Sequence, residues 1–214
     1  MEDIIVYGAG GMAKEVVQII EDLNEVTPQW NIRGYIDDIK GDCGEFINGY
    51  KILGTGEILK YEVNSTNVVL AIGNPVAKKM IYDNIKDYRV KFPSLIHPSA
   101  KVCKNSQISN GAIIGMDCIV SVNVHIGSHV FLNMRTVVGH DAAIGDFSSC
   151  LVNSIIAGDV VIGEASLLGS NCVIMEKKII GDRAKIGMGS IVDFDVEAEH
   201  VVLSRPSKSI YFGP

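Results

Sequence analysis

Two groups of residues in this 214-residue chain are of types that could do chemistry, and the first is a histidine followed directly by an aspartate. His140 and Asp141 lie in the segment 138–146, which otherwise holds small and aliphatic residues and a final Asp146. Because imidazole titrates near neutral pH, His140 is the best candidate in the chain for a general base. Neighbouring residues of a strand point to opposite sides, so the sequence leaves open whether the two side chains touch.

The second group is a glycine-rich segment near the N-terminus. Gly8, Gly10 and Ala13 match the dinucleotide-binding fingerprint loosely, and Gly11 and Met12 complete the turn. Glycines let a backbone come close to a phosphate, and the N-terminus of the helix that follows favours an anion. The segment predicts a diphosphate ligand without indicating NAD, and a purely structural tight turn stays open as the alternative.

Polar residues also end two further predicted strands. Asp37 and Asp38 end the second strand and Asn74 ends the third, at the carboxyl edge where parallel sheets collect ligands. The acidic pair is placed to contact the sugar or base of a ligand, or else it is simply solvated. Asn74 has the alternative of capping the helix that follows it.

Residues 1–92 are predicted to form a Rossmann-like α/β domain that positions these groups. The predicted elements are strands over 4–7, 33–38 and 68–74, a helix after the glycine turn and another helix over 78–85. A strand, a glycine turn, a helix and a second strand make a βαβ unit with a parallel sheet. Trp30 is expected to serve packing from a loop.

Residues 93–214 follow a different period. One position in six is aliphatic from Ile96 to Val192, 17 positions in succession, and Cys150 is the only member that is not Ile, Leu or Val. An α-helix would repeat every 3.6 residues, whereas short strands separated by turns fit this period and coil into a parallel β-solenoid with the aliphatics inside. Small or β-branched residues recur at the predicted tight corners, with Lys178 the exception. Glycine often follows the aliphatic residue, where turns of unusual φ are expected.

Composition narrows the classes of function. A net charge of −6 and a pI of about 5.3 argue against a nucleic-acid groove. The chain contains no run of 18 apolar residues, so no membrane span is expected. The N-terminal residues lack the features of a signal peptide. An odd number of cysteines without a CxxC pair indicates reduced thiols in a cytosolic protein. The cysteines are Cys43, Cys103, Cys118, Cys150 and Cys172.

Taken together, these motifs resemble one family. The segments 8–11, 36–38 and 71–74, followed by the six-residue repeats, are similar to the sialic-acid O-acetyltransferase and UDP-4-amino-sugar N-acetyltransferase family. The resemblance covers nearly the whole chain and implies a left-handed parallel β-helix after the α/β domain. It also implies a cytoplasmic homotrimer in which acetyl-CoA and a sugar nucleotide meet between subunits, with no metal.

The resemblance also implies roles for individual residues. His140 would be the catalytic base, Asp141 would raise its basicity, and Asn133 would line the sugar site. The residues implied for the nucleotide part of the acceptor are Gly8, Gly10, Gly11, Met12, Asp37, Asp38 and Asn74. The residues implied for CoA are Ser149, Gly158, Ser170, Met188, Arg205 and Lys208.

The chain departs from the family's pattern in four ways. Ser149 stands where many relatives carry a second histidine, and Ser204 and Arg205 precede the closing proline where relatives have other residues. Met12 replaces a His or Phe, and Asp141 replaces a Glu found in the N-acetyltransferases. The first two departures bear on CoA binding, and the last two bear on the sugar acceptor and on the tuning of the base.

Alternatives to this interpretation stay open. The acetyl group would go to the amine of a nucleotide-linked 4-amino-4,6-dideoxy sugar, preferred because the nucleotide-type domain then has a ligand, or to a hydroxyl of sialic acid. His125, His129 and His140 could instead hold zinc across a subunit interface, as in a γ-carbonic anhydrase. A non-catalytic scaffold is the third alternative. The preferred hypothesis is an acetyl-CoA-dependent sugar N-acetyltransferase of surface glycan or glycoprotein biosynthesis.

Overall fold

The structure, a computed structural model, describes residues 1–41, 44–62 and 65–204. The N-terminal elements are β1 (Glu2–Tyr7), α1 (Gly11–Val26), β2 (Trp30–Ile36), β3 (Phe46–Ile47), β4 (Tyr50–Gly54), a 3₁₀ helix (Gly56–Tyr61), β5 (Thr66–Leu70), α2 (Pro75–Ile85) and β6 (Val90–Lys91). Within the described ranges, neither helix has the length and apolar character needed to cross a bilayer.

The N-terminal sheet is built around β1, in the order β3-β4-β2-β1-β5-β6. Its neighbouring strands are parallel except for the antiparallel pair β3 and β4. Because β2 and β5 lie on opposite sides of β1, the strand order reverses at the carboxyl end of β1, where open parallel sheets bind ligands. α1 covers one side of the sheet with buried residues at helical spacing, among them Ala13, Val16, Val17 and Ile20.

Some predicted boundaries differ from the structure. β2 begins at Trp30, so this indole is buried in the core and does not lie in a loop. β5 ends at Leu70, before Asn74, because Asn74 caps α2 and Pro75 occupies its first turn. β3, β4 and β6 are short strands at or near the sheet edges, and they carry no clear apolar period that would predict them.

The rest of the chain consists of two-residue strands at six-residue intervals. They are β7 (Leu95–Ile96), β8 (Lys101–Val102), β9 (Gln107–Ile108), β10 (Ile113–Ile114), β11 (Ile119–Val120), β12 (His125–Ile126), β13 (Phe131–Leu132), β14 (Val137–Val138), β15 (Ala143–Ile144), β16 (Ser149–Cys150), β17 (Ile155–Ile156), β18 (Val161–Ile162), β19 (Leu167–Leu168), β20 (Val173–Ile174), β21 (Ile179–Ile180), β22 (Lys185–Ile186), β23 (Ile191–Val192) and β24 (Val201–Val202).

These strands form the three sides of a triangular prism. Face 1 contains β7, β10, β13, β16, β19, β22 and β24; face 2 contains β8, β11, β14, β17, β20 and β23; face 3 contains β9, β12, β15, β18 and β21. All three sheets are parallel, and we name each corner by the two faces that it joins: corner 1–2, corner 2–3 and corner 3–1. The predicted fold, an α/β domain followed by a left-handed parallel β-helix, is confirmed.

The aliphatic column fills the interior of the prism. From Ile114 to Val192, each member of the six-residue series is at most 2% exposed. Ile96, Val102 and Ile108 are only half-buried, because their coil is the first and is covered from one side alone. The stacking of coils therefore supplies the core that no single coil could form.

The glycines that follow the aliphatic column serve close packing between coils. A Cβ on Gly139 would lie 2.6 Å from backbone atoms of Ala157 and Gly158 in the next coil. The left-handed residue of each turn lies two places later and is often not glycine, as at Asp141 (φ 58°) and His129 (φ 55°). The expectation that this glycine column provides the unusual φ is therefore wrong, and the close approach of successive coils explains it.

The N-terminal domain packs on face 1. The outward side chains of Leu95, Ile113 and Phe131 join the apolar cluster that contains the buried residues of α1. α1 also reaches corner 1–2, where Asp22 Oδ2 lies 2.8 Å from His97 Nε2. Face 1 and the two corners that border it are thus the part of the prism that faces the α/β domain.

α2 packs on corner 3–1 through an aromatic cluster and a buried amine. The ring of Tyr82 lies 4.7 Å from His129 and 5.2 Å from Phe147, measured between centroids. The Nζ of the buried Lys78 donates to Ser149 Oγ at 3.1 Å. Burial lowers the pKa of Lys78 to about 7 and that of His129 to about 4, since the charged forms lose their hydration.

Candidate active site

His140 lies just after β14, at corner 2–3, and its side chain is 58% exposed. Asp141 has a left-handed backbone conformation, so the strand rule of alternating directions does not apply at this turn. His140 Nδ1 and Asp141 Oδ2 lie 2.8 Å apart. The contact that the sequence left open is therefore present, and among the described residues Nε2 of His140 has no hydrogen-bond partner.

The preceding coil holds Asp141 in place. Asp141 Oδ1 accepts a hydrogen bond from Asn123 Nδ2 at 3.0 Å, and its backbone N–H donates to the Val122 carbonyl at 3.0 Å. The bond from Asn123, followed by the bond with His140, holds the pKa of Asp141 below its usual range. Asp141 thus stays a carboxylate that can accept a hydrogen bond from the Nδ1–H of His140. Sequence reasoning missed Asn123, although it lies one 18-residue coil before Asp141.

The following coil supports the imidazole from the other side. Gly158 lies one coil after His140, and a Cβ on it would come within 2.6 Å of ring atoms Cε1 and Nε2. The Asp159 N–H donates to the His140 carbonyl at 2.9 Å. The missing side chain at Gly158, which the sequence assigned to CoA contact, is what makes room for the ring.

The glycine turn lies at the carboxyl end of β1. Gly8 has a φ of +112°, and a Cβ there would lie 2.7 Å from the Ala71 carbonyl oxygen, so glycine is required. A Cβ on Gly10 or Gly11 would meet nothing within 4 Å, which leaves the start of α1 open. No side chain caps α1 and no acidic residue lies in its first turn, so its N–H groups and dipole suit an anion.

The acidic pair after β2 is engaged in the loops around this turn. Asp37 accepts hydrogen bonds from the Ala9 N–H at 2.8 Å and from two N–H groups of its own turn. Asp38 accepts from the Tyr7 hydroxyl at 2.8 Å and from the first N–H of the 3₁₀ helix at 2.9 Å. These bonds order the edge of the sheet, and contact of either carboxylate with a ligand stays a prediction.

The ends of β1 and β5 meet at the same edge. Asn74 caps α2, since its Oδ1 accepts from the Ala77 N–H at 3.0 Å, so the capping alternative is present in the structure. A Cβ on Gly73 would lie 3.8 Å from Met12 Sδ. The residues that the sequence assigned to the nucleotide therefore lie together at one edge of the sheet.

Asn133 lies on corner 1–2, beside α1. Its Oδ1 accepts from the Met134 N–H at 2.7 Å, and its side chain hydrogen-bonds Glu15, one helical turn from the glycine turn. Burial raises the pKa of Glu15, and the bond with Asn133 acts in the opposite direction. A cavity of about 90 Å³, lined by both residues, opens between α1 and this corner. Sequence reasoning missed Glu15, which the helical spacing places on the side of α1 that faces this corner.

The base and the nucleotide-type edge do not meet within one chain. The α/β domain covers face 1, and corner 2–3 is the vertex opposite that face. His140 follows β14, whereas Asn133 precedes it, so the two residues lie at different corners of the same coil. One chain therefore holds two separate halves of the predicted site.

The residues predicted to contact CoA also lie at different corners of the prism. Gly158 lies at corner 2–3, whereas the half-buried Ser170 and the exposed Met188 lie at corner 1–2. Ser149 is fully buried under α2, where its hydroxyl accepts from the buried lysine. The structure therefore corrects the assignment of Ser149, because α2 covers it and gives it a role in domain packing.

Three residues singled out from the sequence, Arg205, Lys208 and Cys43, lie outside the described residues. The other cysteines are unpaired: Cys103 is exposed, and Cys118, Cys150 and Cys172 are buried.

The histidines considered as zinc ligands lie far from one another around the prism. His125 is exposed on face 3, His129 is buried at corner 3–1, and His140 is at corner 2–3. Within the described part of the chain, no group of three His, Cys, Asp or Glu residues could hold a metal ion.

The fold and site define a two-part class of protein, in which an α/β domain with an open glycine turn precedes a hexapeptide-repeat β-helix with a carboxylate-paired histidine. Residues 3–85 match the PglD N-terminal domain family. GDP-perosamine N-acetyltransferase from Escherichia coli O157:H7 is 28% identical over 121 residues, which cover 56% of this chain. The match covers 54% of that protein, so the chain spans about half the length of this curated relative.

Two solved structures resemble nearly the whole chain. A histidine-to-asparagine mutant of perosamine N-acetyltransferase from Caulobacter crescentus, in complex with CoA and GDP-perosamine, has a TM-score of 0.87, 22% identity and coverage of 97% of this chain and 96% of that one. The acetyltransferase domain of PglB from Neisseria gonorrhoeae FA1090 has a TM-score of 0.87, 24% identity and coverage of 98% and 100%. The resemblance inferred from the sequence is confirmed.

Proposed function

We propose that the chain is an acetyl-CoA-dependent N-acetyltransferase acting on the amino group of a nucleotide-linked 4-amino-4,6-dideoxy sugar, for surface glycan or glycoprotein biosynthesis. The observation that carries the proposal is the 2.8 Å contact between His140 Nδ1 and Asp141, on an exposed corner and with Nε2 unengaged. The curated relative supports the acceptor class, since its name specifies GDP-perosamine. The Caulobacter crescentus neighbour, which was solved with CoA, supports the donor.

The chemistry requires a base for one amine proton. Nε2 of neutral His140 accepts this proton as the sugar nitrogen bonds to the thioester carbonyl carbon. The carbon–sulfur bond then breaks, and the proton passes from the imidazolium to the departing CoA sulfur, so the enzyme returns to its starting state. Asp141 stabilises the imidazolium and keeps the other ring proton on Nδ1.

The glycine turn supplies the acceptor's anchor. Its open backbone at Gly10 and Gly11 and the uncapped start of α1 fit the diphosphate of a sugar nucleotide. Asn133 lines the cavity between α1 and corner 1–2, on the side of the molecule that carries the glycine turn, and its amide can contact the sugar there. This arrangement favours a nucleotide-linked amine over free sialic acid, which has no diphosphate for the turn to bind.

A second copy of the chain completes the site. Face 2 presents a stripe of outward β-branched side chains, of which Ile119, Ile155 and Ile191 are each at least 40% exposed. Such a stripe favours burial against equivalent stripes around a three-fold axis. Corner 2–3 of one copy then meets corner 1–2 of the next, which brings His140 to the neighbour's Asn133 and glycine turn.

The proposal is tested with the purified full-length chain, acetyl-CoA and a panel of acceptors. Release of the CoA thiol is followed with GDP-perosamine, with UDP- and dTDP-linked 4-amino-4,6-dideoxy sugars and with sialic acid, and the acetylated atom is located by NMR. Turnover with an amino-sugar nucleotide is expected. Turnover with sialic acid alone supports the O-acetyltransferase alternative. If no acceptor leads to release of the CoA thiol, the proposal that the chain is an acetyltransferase is contradicted. Sedimentation is expected to show three copies per particle.

A further inference from the structure

Corner 2–3 contains a column of residues in one unusual backbone conformation. Asn123, Asp141 and Asp159 lie one coil apart, and each has a φ of 58°. Successive coils stack in register, as shown by the pairing of Ile119 with Val137, so these side chains lie one above another. A side chain in this column can therefore contact the equivalent side chain of the neighbouring coil.

Asp141 uses its two oxygens for two different partners. Oδ1 accepts from Asn123 Nδ2 at 3.0 Å, and Oδ2 contacts His140 Nδ1 at 2.8 Å. The amide of Asn123 thus fixes the carboxylate, which in turn contacts the ring of His140. Among the described residues, the Asn123 side chain hydrogen-bonds Asp141 and not the imidazole, so any effect on the base passes through Asp141.

We propose that Asn123 is a positioning residue that orients Asp141, so that His140 carries its proton on Nδ1 and presents a proton-free Nε2 to the substrate amine. The inference rests on the proposed function for its consequence in turnover, but the state of the ring is measurable without turnover. An amide suits position 123 because it can donate to the carboxylate. A carboxylate there would place a third acid in the column with Asp141 and Asp159.

The chain contains a matched control for this hydrogen bond. Asn153 Nδ2 donates to Asn171 Oδ1 at 2.8 Å, again across one coil, and both residues have a φ of 58°. No histidine takes part in that pair. Replacing Asn153 removes a similar bond in a similar conformation but leaves corner 2–3 unchanged.

The test compares Asn123→Gly with Asn153→Gly. Glycine accepts a φ of 58° without strain, so each change deletes the side chain and little else. In Asn123→Gly, kcat is expected to fall about tenfold with KM for the acceptor little changed, because misorientation of a base reduces the reactive fraction. ¹⁵N NMR at about pH 8.5, where imidazole is neutral, is expected to show His140 mainly as the Nδ1–H tautomer in the wild type and as a mixture in Asn123→Gly. Asn153→Gly leaves the bond between Asn123 and Asp141 in place and is expected to leave the His140 tautomer unchanged.

Asn123→Asp and a double variant make the test specific. Asn123→Asp keeps the size of the side chain but removes the donor, so it is expected to raise the pKa of Asp141 and to lose at least as much kcat. In an Asp141→Ala background, Asn123→Gly is expected to cause no further loss, since both act through one residue. An unchanged tautomer and kcat in both Asn123 variants overturns the inference, as does an equal change of the His140 tautomer in Asn153→Gly. A wild type that turns over no acceptor contradicts the proposed function, whereas the tautomer still decides the role of Asn123.

Discussion

His129 and His140 belong to the same β-helix, but the fold gives the two imidazoles opposite surroundings. His129 is buried at corner 3–1 beneath α2 and stacks on Phe147 with 5.1 Å between ring centroids. Its Nδ1 has no hydrogen-bond partner within the described ranges. His140 lies on the vertex opposite the α/β domain, where its ring is open on one side and paired with Asp141 on the other.

The difference shows that the hydrogen-bond partner and the solvent exposure of an imidazole, more than the residue type, decide whether it can exchange a proton with a substrate. Burial lowers the pKa of His129 to about 4, and the buried amine of Lys78 acts in the same direction. His129 is therefore neutral at physiological pH and shielded from any substrate, so its role is packing. His140 instead is exposed to solvent, and Asp141 contacts its Nδ1 at 2.8 Å and leaves Nε2 facing outward.

The largest expected effect comes from removing either imidazole. His140→Ala is expected to lower kcat by about 100- to 10,000-fold, the range typical of general-base catalysis, with no change in Tm. His129→Ala is expected to lower Tm, because it leaves a cavity under α2, and to leave kcat unchanged. Steady-state thiol release and thermal unfolding of both variants check this. A His140→Ala protein with near wild-type turnover would remove that residue from the mechanism.

Lys78→Met tests the buried region under α2 through the pH dependence of the free energy of unfolding. The pKa of Lys78 is about 7 when folded and 10.5 ordinarily, so the unfolded chain binds the proton more tightly. The contribution of Lys78 to the free energy of unfolding therefore falls as the pH is lowered from about 10.5 to about 7. Methionine fills similar space without a charge, so Lys78→Met is expected to be more stable by about 2 kcal/mol near pH 7 and to lack this slope.

The difference between the two proteins in urea unfolding from about pH 7.5 to pH 10 measures this effect. His129 is neutral in both states over that window, and the buried thiols of Cys118, Cys150 and Cys172, whose pKa values burial raises, are common to both proteins. The neighbouring Lys79 is the control, because its side chain is exposed and its Nζ lies 3.1 Å from a Glu164 oxygen. Lys79→Met is expected to change stability by less than about 1 kcal/mol with the slope retained. An identical slope in wild type and Lys78→Met would contradict the assignment.

Gly158→Ala tests the exposed side with the smallest expected effect. A methyl group here would come within 2.6 Å of the His140 ring, so the ring must shift. The expected result is a fall in kcat of about tenfold, since small misplacements of a base are costly, and a small loss of Tm. In a His140→Ala background the Tm loss is expected to disappear, because the clashing partner is gone. Retention of that loss would show that the methyl group clashes with something else.

The sequence predicts the β-helix more completely than the α/β domain, and stacking is the physical reason. Every coil places one residue type at the same position, so the aliphatic column from Ile96 to Val192 is visible as a simple count. β3 and β6 of the N-terminal sheet are held by single neighbours at its edges and impose no such pattern.

The candidate site could be proposed from its residues, but its contacts could not be predicted. His140 and Asp141 are evident from their types, but their pairing depends on the left-handed φ of Asp141, which the local sequence does not specify. Asn123 could have been found by stepping back one coil from Asp141. The burial of Ser149 could not have been predicted, because it depends on where α2, an element of the other domain, packs on the β-helix.

In the proposed trimer, the location of His140 on the vertex away from its own α/β domain means that two chains with different catalytic defects complement each other. A chain carrying His140→Ala retains a sound Asn133, and a chain carrying Asn133→Ala retains a sound imidazole. When the two silent proteins are unfolded together and refolded as mixed particles, some clefts draw one intact half from each parent. Activity is expected to reappear in that mixture, whereas a chain bearing both changes rescues nothing.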